Sequence, residues 1–168
     1  MIRNKILVLG IGNEVLKDDG IGPKLVKKLQ NFLPLPDIDY AISAVGGMEI
    51  IEIMKGYEEV VIIDGIMTGD YAPGSVIFMS YPYHRKTLHL SNYHDVSFEM
   101  SVELAKQLDI PFPERIFIIA IEIVKDREFG ENLTSTLQEK YSKIFSSVAN
   151  TIQENISDRS RKDCYEKI

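Results

Sequence analysis

Three carboxylates in this chain stand directly behind hydrophobic runs. Asp19 follows the aliphatic stretch from Lys5 to Leu9 and its sequel Gly10-Ile11-Gly12-Asn13, Asp64 follows Val60 to Ile63, and Glu122 follows Ile116 to Ile121. An aliphatic run without polar alternation reads as a strand covered on both faces, which is the mark of a parallel sheet. Ligands of such sheets bind outside the carboxyl ends of the strands, so polar residues placed there are the first candidates for chemistry. Taken singly, each has a plain alternative: Asp19 as the cap of the first helix, Asp64 as the opening of a turn before Gly65. Their coincidence at one edge points to a shared acidic site.

An imidazole is available to join them. His84, His89 and His94 recur at intervals of five, a spacing that lines up on neither a helix face nor a strand face. His94, at the start of the helix that contains Phe98, is the candidate, and His84 and His89 read as surface loop residues. Two carboxylates and an imidazole suit nickel, zinc or iron better than calcium or magnesium, which are poor partners for nitrogen. Other chemistries lack their residues. There is no HExxH helix and no GxSxG elbow, and the single cysteine, Cys164, lies in a polar stretch near the end, which removes the usual starts for zinc proteolysis and acyl-enzyme formation. Gly10-x-Gly12 suggests a dinucleotide turn, but Val15 stands where the third glycine belongs and no GxxxxGK[ST] segment occurs. Gly10 and Gly12 then serve to turn the chain sharply.

The elements that must position these residues alternate. The run from Lys5 to Leu9 predicts a first strand stopping at Gly10. Pro23 suits a first helical turn, and Leu25, Val26, Leu29 and Phe32 follow at helical spacing. Ile38 to Val45 reads as a strand ending at Gly46-Gly47, then a short helix through Met48, Ile51, Ile53 and Met54. Val60 to Ile63 and Ser75 to Met79 are strands separated by the Pro73-Gly74 turn. Phe98, Val102, Ala105 and Leu108 mark a helix closed off by Pro111 and Pro113, Ile116 to Ile121 is a further strand, and Leu137, Tyr141, Ile144, Val148 and Ile152 share the face of a last helix. This order predicts a three-layer α/β sandwich, phosphorylase/hydrolase-like, with a mostly parallel twisted sheet between helices. We expect one domain over residues 1–156 and a polar, frayed tail over 157–168.

Composition agrees with a folded enzyme-sized domain. At 168 residues, 45% hydrophobic and 26% charged, the chain is able to bury one sizeable core. Its net charge of −6 works against nucleic-acid binding. The apolar start is too short for a membrane span and lone Cys164 suits a reducing compartment, so a cytoplasmic protein without membrane insertion is expected.

The run Gly10-Ile-Gly-Asn-Glu-Val-Leu-Lys-Asp-Asp-Gly-Ile-Gly22 resembles the opening signature of the hydrogenase maturation endopeptidases. Gly46-Gly47-Met48-Glu49 is similar to that family's second glycine turn, Asp64 closes a hydrophobic strand ahead of Ala72-Pro73-Gly74 as in the family, and Asn92-Tyr93-His94 falls at the place of its histidine. The likeness runs in order from about Ile6 to Leu137. It implies an enzyme that clips a C-terminal peptide from the nickel-loaded large subunit of a nickel-iron hydrogenase. Asp19, Asp64 and His94 correspond to its metal-contacting residues, and Asp19 and Asp64 are the catalytic candidates, as a base for water or as an aspartic-type pair. The loops carrying Gly10, Gly12, Asn13, Gly46, Gly47 and Glu122 support them. Nickel would then belong to the substrate, with no resident catalytic metal, and cadmium or zinc would take the same ligands in a crystal. The partner implied is the hydrogenase large-subunit precursor, and the protein itself a monomer or weak oligomer. Gly65 after Asp64, and Glu122-Ile123-Val124 without the usual glycine and proline, depart from the family pattern. Two other readings compete: a non-catalytic accessory protein that binds the metallated precursor, and a small-molecule enzyme of nucleotide type using the turn at Gly10.

Overall fold

The computed structural model describes residues 6–35, 37–44, 48–82, 98–124 and 128–165. Five strands form one sheet: β1 (Ile6–Ile11), β2 (Ile38–Ser43), β3 (Glu59–Ile66), β4 (Val76–Ser80) and β5 (Arg115–Glu122). Their spatial order is β2-β1-β3-β5-β4, with β4 the one antiparallel member, at an edge. Among the described residues four helices cover it: α1 (Ile21–Phe32), α2 (Met48–Met54), α3 (Phe98–Gln107) and α4 (Ser135–Tyr165).

The alternation of side chains along each strand divides the core. Ile6 and Val8 of β1, Val61 and Ile63 of β3, and Ile119 and Ile121 of β5 pack under α1 and α4. Leu7, Leu9 and Ile11, then Val60, Ile62 and Ile66, then Ile116, Ile118 and Ala120 pack under α2 and α3. Because both faces of the central strands are covered, every residue of β1 and β3 is buried, which is why these strands read as uninterrupted aliphatic runs. The expected three-layer sandwich is the observed fold.

Some boundaries differ from expectation. β1 runs through Gly10 to Ile11, so Gly10 is a strand residue and not part of the loop. β3 does not stop at Ile63: Asp64, Gly65 and Ile66 continue the ladder opposite Ala120, Ile121 and Glu122 of β5, and Asp64 opens no turn. Pairing with β5 overrides the local turn signal of Asp-Gly. The backbone of α4 is helical through Tyr165, where sequence led us to expect a frayed tail; the apolar stripe ends near Ile152 while the helix goes on.

Candidate functional site

The strand order changes direction at β1. From β1 the chain moves through α1 to β2 on one side, then through α2 on the opposite face to β3 on the other. The loops behind β1 and β3 therefore part, and the crevice between them is where an open α/β sheet binds its ligand.

Asp19 is delivered to this crevice by a 3-10 turn, Lys17–Gly20, that packs against β3. Its Oδ2 accepts a hydrogen bond from the Asn13 amide at 2.7 Å, and Asn13 ties the turn further through its own side chain, whose Oδ1 accepts the Val15 amide at 3.1 Å. Asp19 is not the N-cap of α1: that position is Gly20, which has no side-chain cap bond. Two glycines make the approach possible. Gly12 has φ +144, and a Cβ there would lie 2.0 Å from the Asp19 carbonyl oxygen. A Cβ on Gly22 would lie 2.5 Å from the carbonyl oxygens of both Ile11 and Ile63, so only glycine lets α1 begin directly against β1 and β3. The third close-packing glycine that the dinucleotide pattern lacks at Val15 is thus supplied later, at Gly22, while Gly10 faces it across the helix–strand contact.

Asp64 lies fully buried within β3. Alternation aims it to the same face as Val60, Ile62 and Ile66, beneath α2 and α3, and its Oδ1 accepts the Gly65 amide at 2.8 Å. The turn that carries Asp19 packs on this strand, and Gly22 touches the residue before Asp64. Both residues thus stand at the carboxyl edge of the sheet, Asp64 just past the end of the β1–β3 ladder and Asp19 in a turn packed on β3.

Glu122 does different work. Its Oε1 accepts the amides of Thr68 and Gly69, both at 2.8 Å, and its Oε2 accepts the Thr68 hydroxyl at 2.7 Å. It anchors the loop that leaves β3. Asp18, which the sequence did not single out from its neighbour, is the other structural carboxylate. Its Oδ1 accepts the Thr134 amide at 2.7 Å, and its Oδ2 accepts the Thr134 hydroxyl at 2.9 Å and the Val124 amide at 3.2 Å. Thr134 precedes the first residue of α4, so Asp18 satisfies an amide at that helix's start from 116 positions away in sequence. No local pattern announces such a bond.

His94, the third member of the predicted set, lies outside the described residues, as do Gly46, Gly47, His84 and His89. Among the described residues no three His, Cys, Asp or Glu side chains are grouped so as to hold a metal ion, so Asp19 and Asp64 contribute at most two ligands from what is described. No helix among those residues is long and apolar enough to cross a membrane.

Fold and site together define an open-sheet α/β protein with two buried aspartates at the point where the strand order reverses. Proteins of known kind share this fold. Over 76 residues the chain is 34% identical to the hydrogenase 2 maturation protease of Escherichia coli, a stretch covering 45% of this chain and 46% of that relative. The solved structure of the hydrogenase maturating endopeptidase HybD from E. coli superposes with a TM-score of 0.69 at 20% identity, over 90% of this chain and 93% of that one. The [NiFe] hydrogenase maturation protease HybD from Thermococcus kodakarensis superposes with a TM-score of 0.59 at 22% identity, over 88% and 98%. No family model matches the chain. The resemblance read from the sequence is borne out: the chain has the fold of these endopeptidases and, along part of its length, sequence similarity to one of them.

Proposed function

We propose that this protein is an endopeptidase that removes a C-terminal peptide from the large-subunit precursor of a nickel-iron hydrogenase, with the nickel already seated in that substrate as its recognition element. The observation that carries the reading is the convergence of sequence similarity and fold on proteins of this one named activity. The buried carboxylates Asp19 and Asp64 are the groups of fitting chemistry. In this reading one of them polarises water for attack on the peptide carbonyl, and aspartic-type chemistry would need the two to share a proton. Carboxylate oxygens, with His94 as a nitrogen donor, also suit a borderline divalent ion such as nickel. Selectivity then arises by differential binding: only a precursor whose metal accepts further ligands is held long enough to be cut.

The reading is tested by incubating purified protein with nickel-loaded and metal-free precursor. Shortening of the loaded form alone is expected. A mobility shift in native gels without peptide release would instead favour a non-catalytic binder.

A further inference from the structure

Among the described residues, the non-glycine residues with left-handed backbone are Lys17, at φ +33, and Asp109, at φ +50. Asp109 has an ordinary reason. It sits just past the end of α3, where helices commonly close in this conformation, and the Ile110 amide behind it donates to the Ala105 carbonyl at 2.9 Å. Lys17 follows no helix, and a residue with a Cβ enters that region only at a cost. It is the first corner of a turn that the Asp19 amide closes on the Leu16 carbonyl at 2.8 Å, so its φ sets the direction in which the chain leaves toward Asp19. The segment ahead of α4 holds it there. The Lys17 amide donates to the Gly130 carbonyl at 2.7 Å and the Gly130 amide to the Val15 carbonyl at 2.9 Å, which pairs Leu16 with Gly130 in a short parallel bridge. Lys17 also forms an ion pair with Glu128. Gly130 has φ +153, and a Cβ there would stand 3.1 Å from both Cγ and Cε of Lys17, so glycine is what allows the close approach. The second corner of the turn, Asp18, is bound to Thr134 and Val124.

We infer that Lys17 and Gly130 are positioning residues for Asp19: the left-handed corner at Lys17, clamped by Gly130, fixes where the Asp19 carboxylate stands. The inference rests on the endopeptidase reading above, in which Asp19 meets the reacting groups. Backbone in a sparsely populated region persists only where its surroundings over-determine it, and such residues gather at sites where side chains must be aimed. Here the surroundings are the bonds to Gly130 on one corner and those to Thr134 and Val124 on the other. The working feature is the backbone conformation and not the ammonium, since an ion pair as open to solvent as Lys17 with Glu128 contributes little. A shift of about 1 Å at a reacting group costs on the order of a hundredfold in rate, so a corner that relaxes out of the left-handed region lowers turnover in a protein that is still folded.

The test grades residue 17 by its tolerance of left-handed backbone. Lys17→Gly and Lys17→Asn accept that conformation, Lys17→Val opposes it through its branched Cβ, and Gly130→Ala attacks the clamp from the other side. Turnover of nickel-loaded precursor is measured at saturating substrate and well below each variant's melting temperature, so that neither weaker docking nor a smaller folded fraction enters. The glycine and asparagine variants should cut within about twofold of wild type although both lack the charge. Lys17→Val and Gly130→Ala should each lose at least about tenfold in kcat. Wild-type kcat in the valine and Gly130→Ala variants overturns the inference and leaves the endopeptidase reading intact. Equal losses in the glycine, asparagine and valine variants would make the ammonium the working group and overturn it as well. Should Lys17→Val fail to fold, Gly130→Ala decides by the same criterion. Failure of wild type itself to cut the precursor removes the endopeptidase reading, and the positioning assignment falls with it.

Discussion

The adjacent aspartates 18 and 19 offer a sharp test of how the molecule divides structure from chemistry. Asp18 is fully buried and accepts three hydrogen bonds, two from Thr134 and one from Val124. A hydrogen bond to a charged group contributes about 1.5–3 kcal/mol, and removing the acceptor leaves buried amides without partners. Because two of the three bonds share one residue, their losses do not simply add, and Asp18→Ala is expected to cost roughly 4 kcal/mol. For a chain of this length, about 2–4 °C of melting temperature corresponds to each kcal/mol, so a fall of about 8–16 °C is expected. Asp19→Asn keeps an oxygen for the Asn13 amide and should melt near wild type while losing peptide cleavage. Circular dichroism melts of the two variants, paired with the cleavage assay, read out both halves. An Asp18→Ala protein melting within about 3 °C of wild type would refute the assignment of Asp18 as the clip between the turn after β1 and the start of α4.

Two further outcomes follow from named bonds. Glu122→Ala should destabilise the protein by about 2–4 kcal/mol and speed hydrogen exchange at the Thr68 and Gly69 amides, whereas Glu122→Gln, which keeps an acceptor oxygen, should cut precursor within a few-fold of wild type; loss of cleavage in the glutamine variant would give Glu122 a direct part in the chemistry. Burial raises the pKa of the phenols of Tyr40 and Tyr141 above the usual 10.0, so the folded state holds these protons more tightly than the unfolded chain. The stability they contribute is fully present below pH 10 and is lost as pH climbs through the raised values. Melting temperature should therefore fall above pH 10, and less steeply in a Tyr40→Phe, Tyr141→Phe double variant; equal slopes would contradict this.

Much of the architecture was legible because buried parallel strands leave a plain trace. The runs around Val8, Val61 and Ile118 have no polar alternation, and α1 and α4 show apolar positions at helical spacing, so the sandwich and the edge carrying the carboxylates could be read directly. What could not be read depends on partners far away in sequence. Asp64-Gly65 looks locally like a turn, and only the ladder with Ile121 and Glu122 makes it strand. The antiparallel sense of β4 depends on pairing with β5, which no local pattern encodes. Asp18 and Asp19 are equivalent by type and position, and contacts with Thr134 and Val124, far away in sequence, separate the clip from the site residue.

Intact mass measurement of nickel-loaded large-subunit precursor, after incubation with wild type or with Asp64→Asn, bears most directly on the claim that this crevice cuts protein. The account predicts a precursor shortened by a discrete C-terminal fragment with wild type and left whole with the variant, at matched melting temperatures. Equal shortening by both proteins, or by neither, would contradict it.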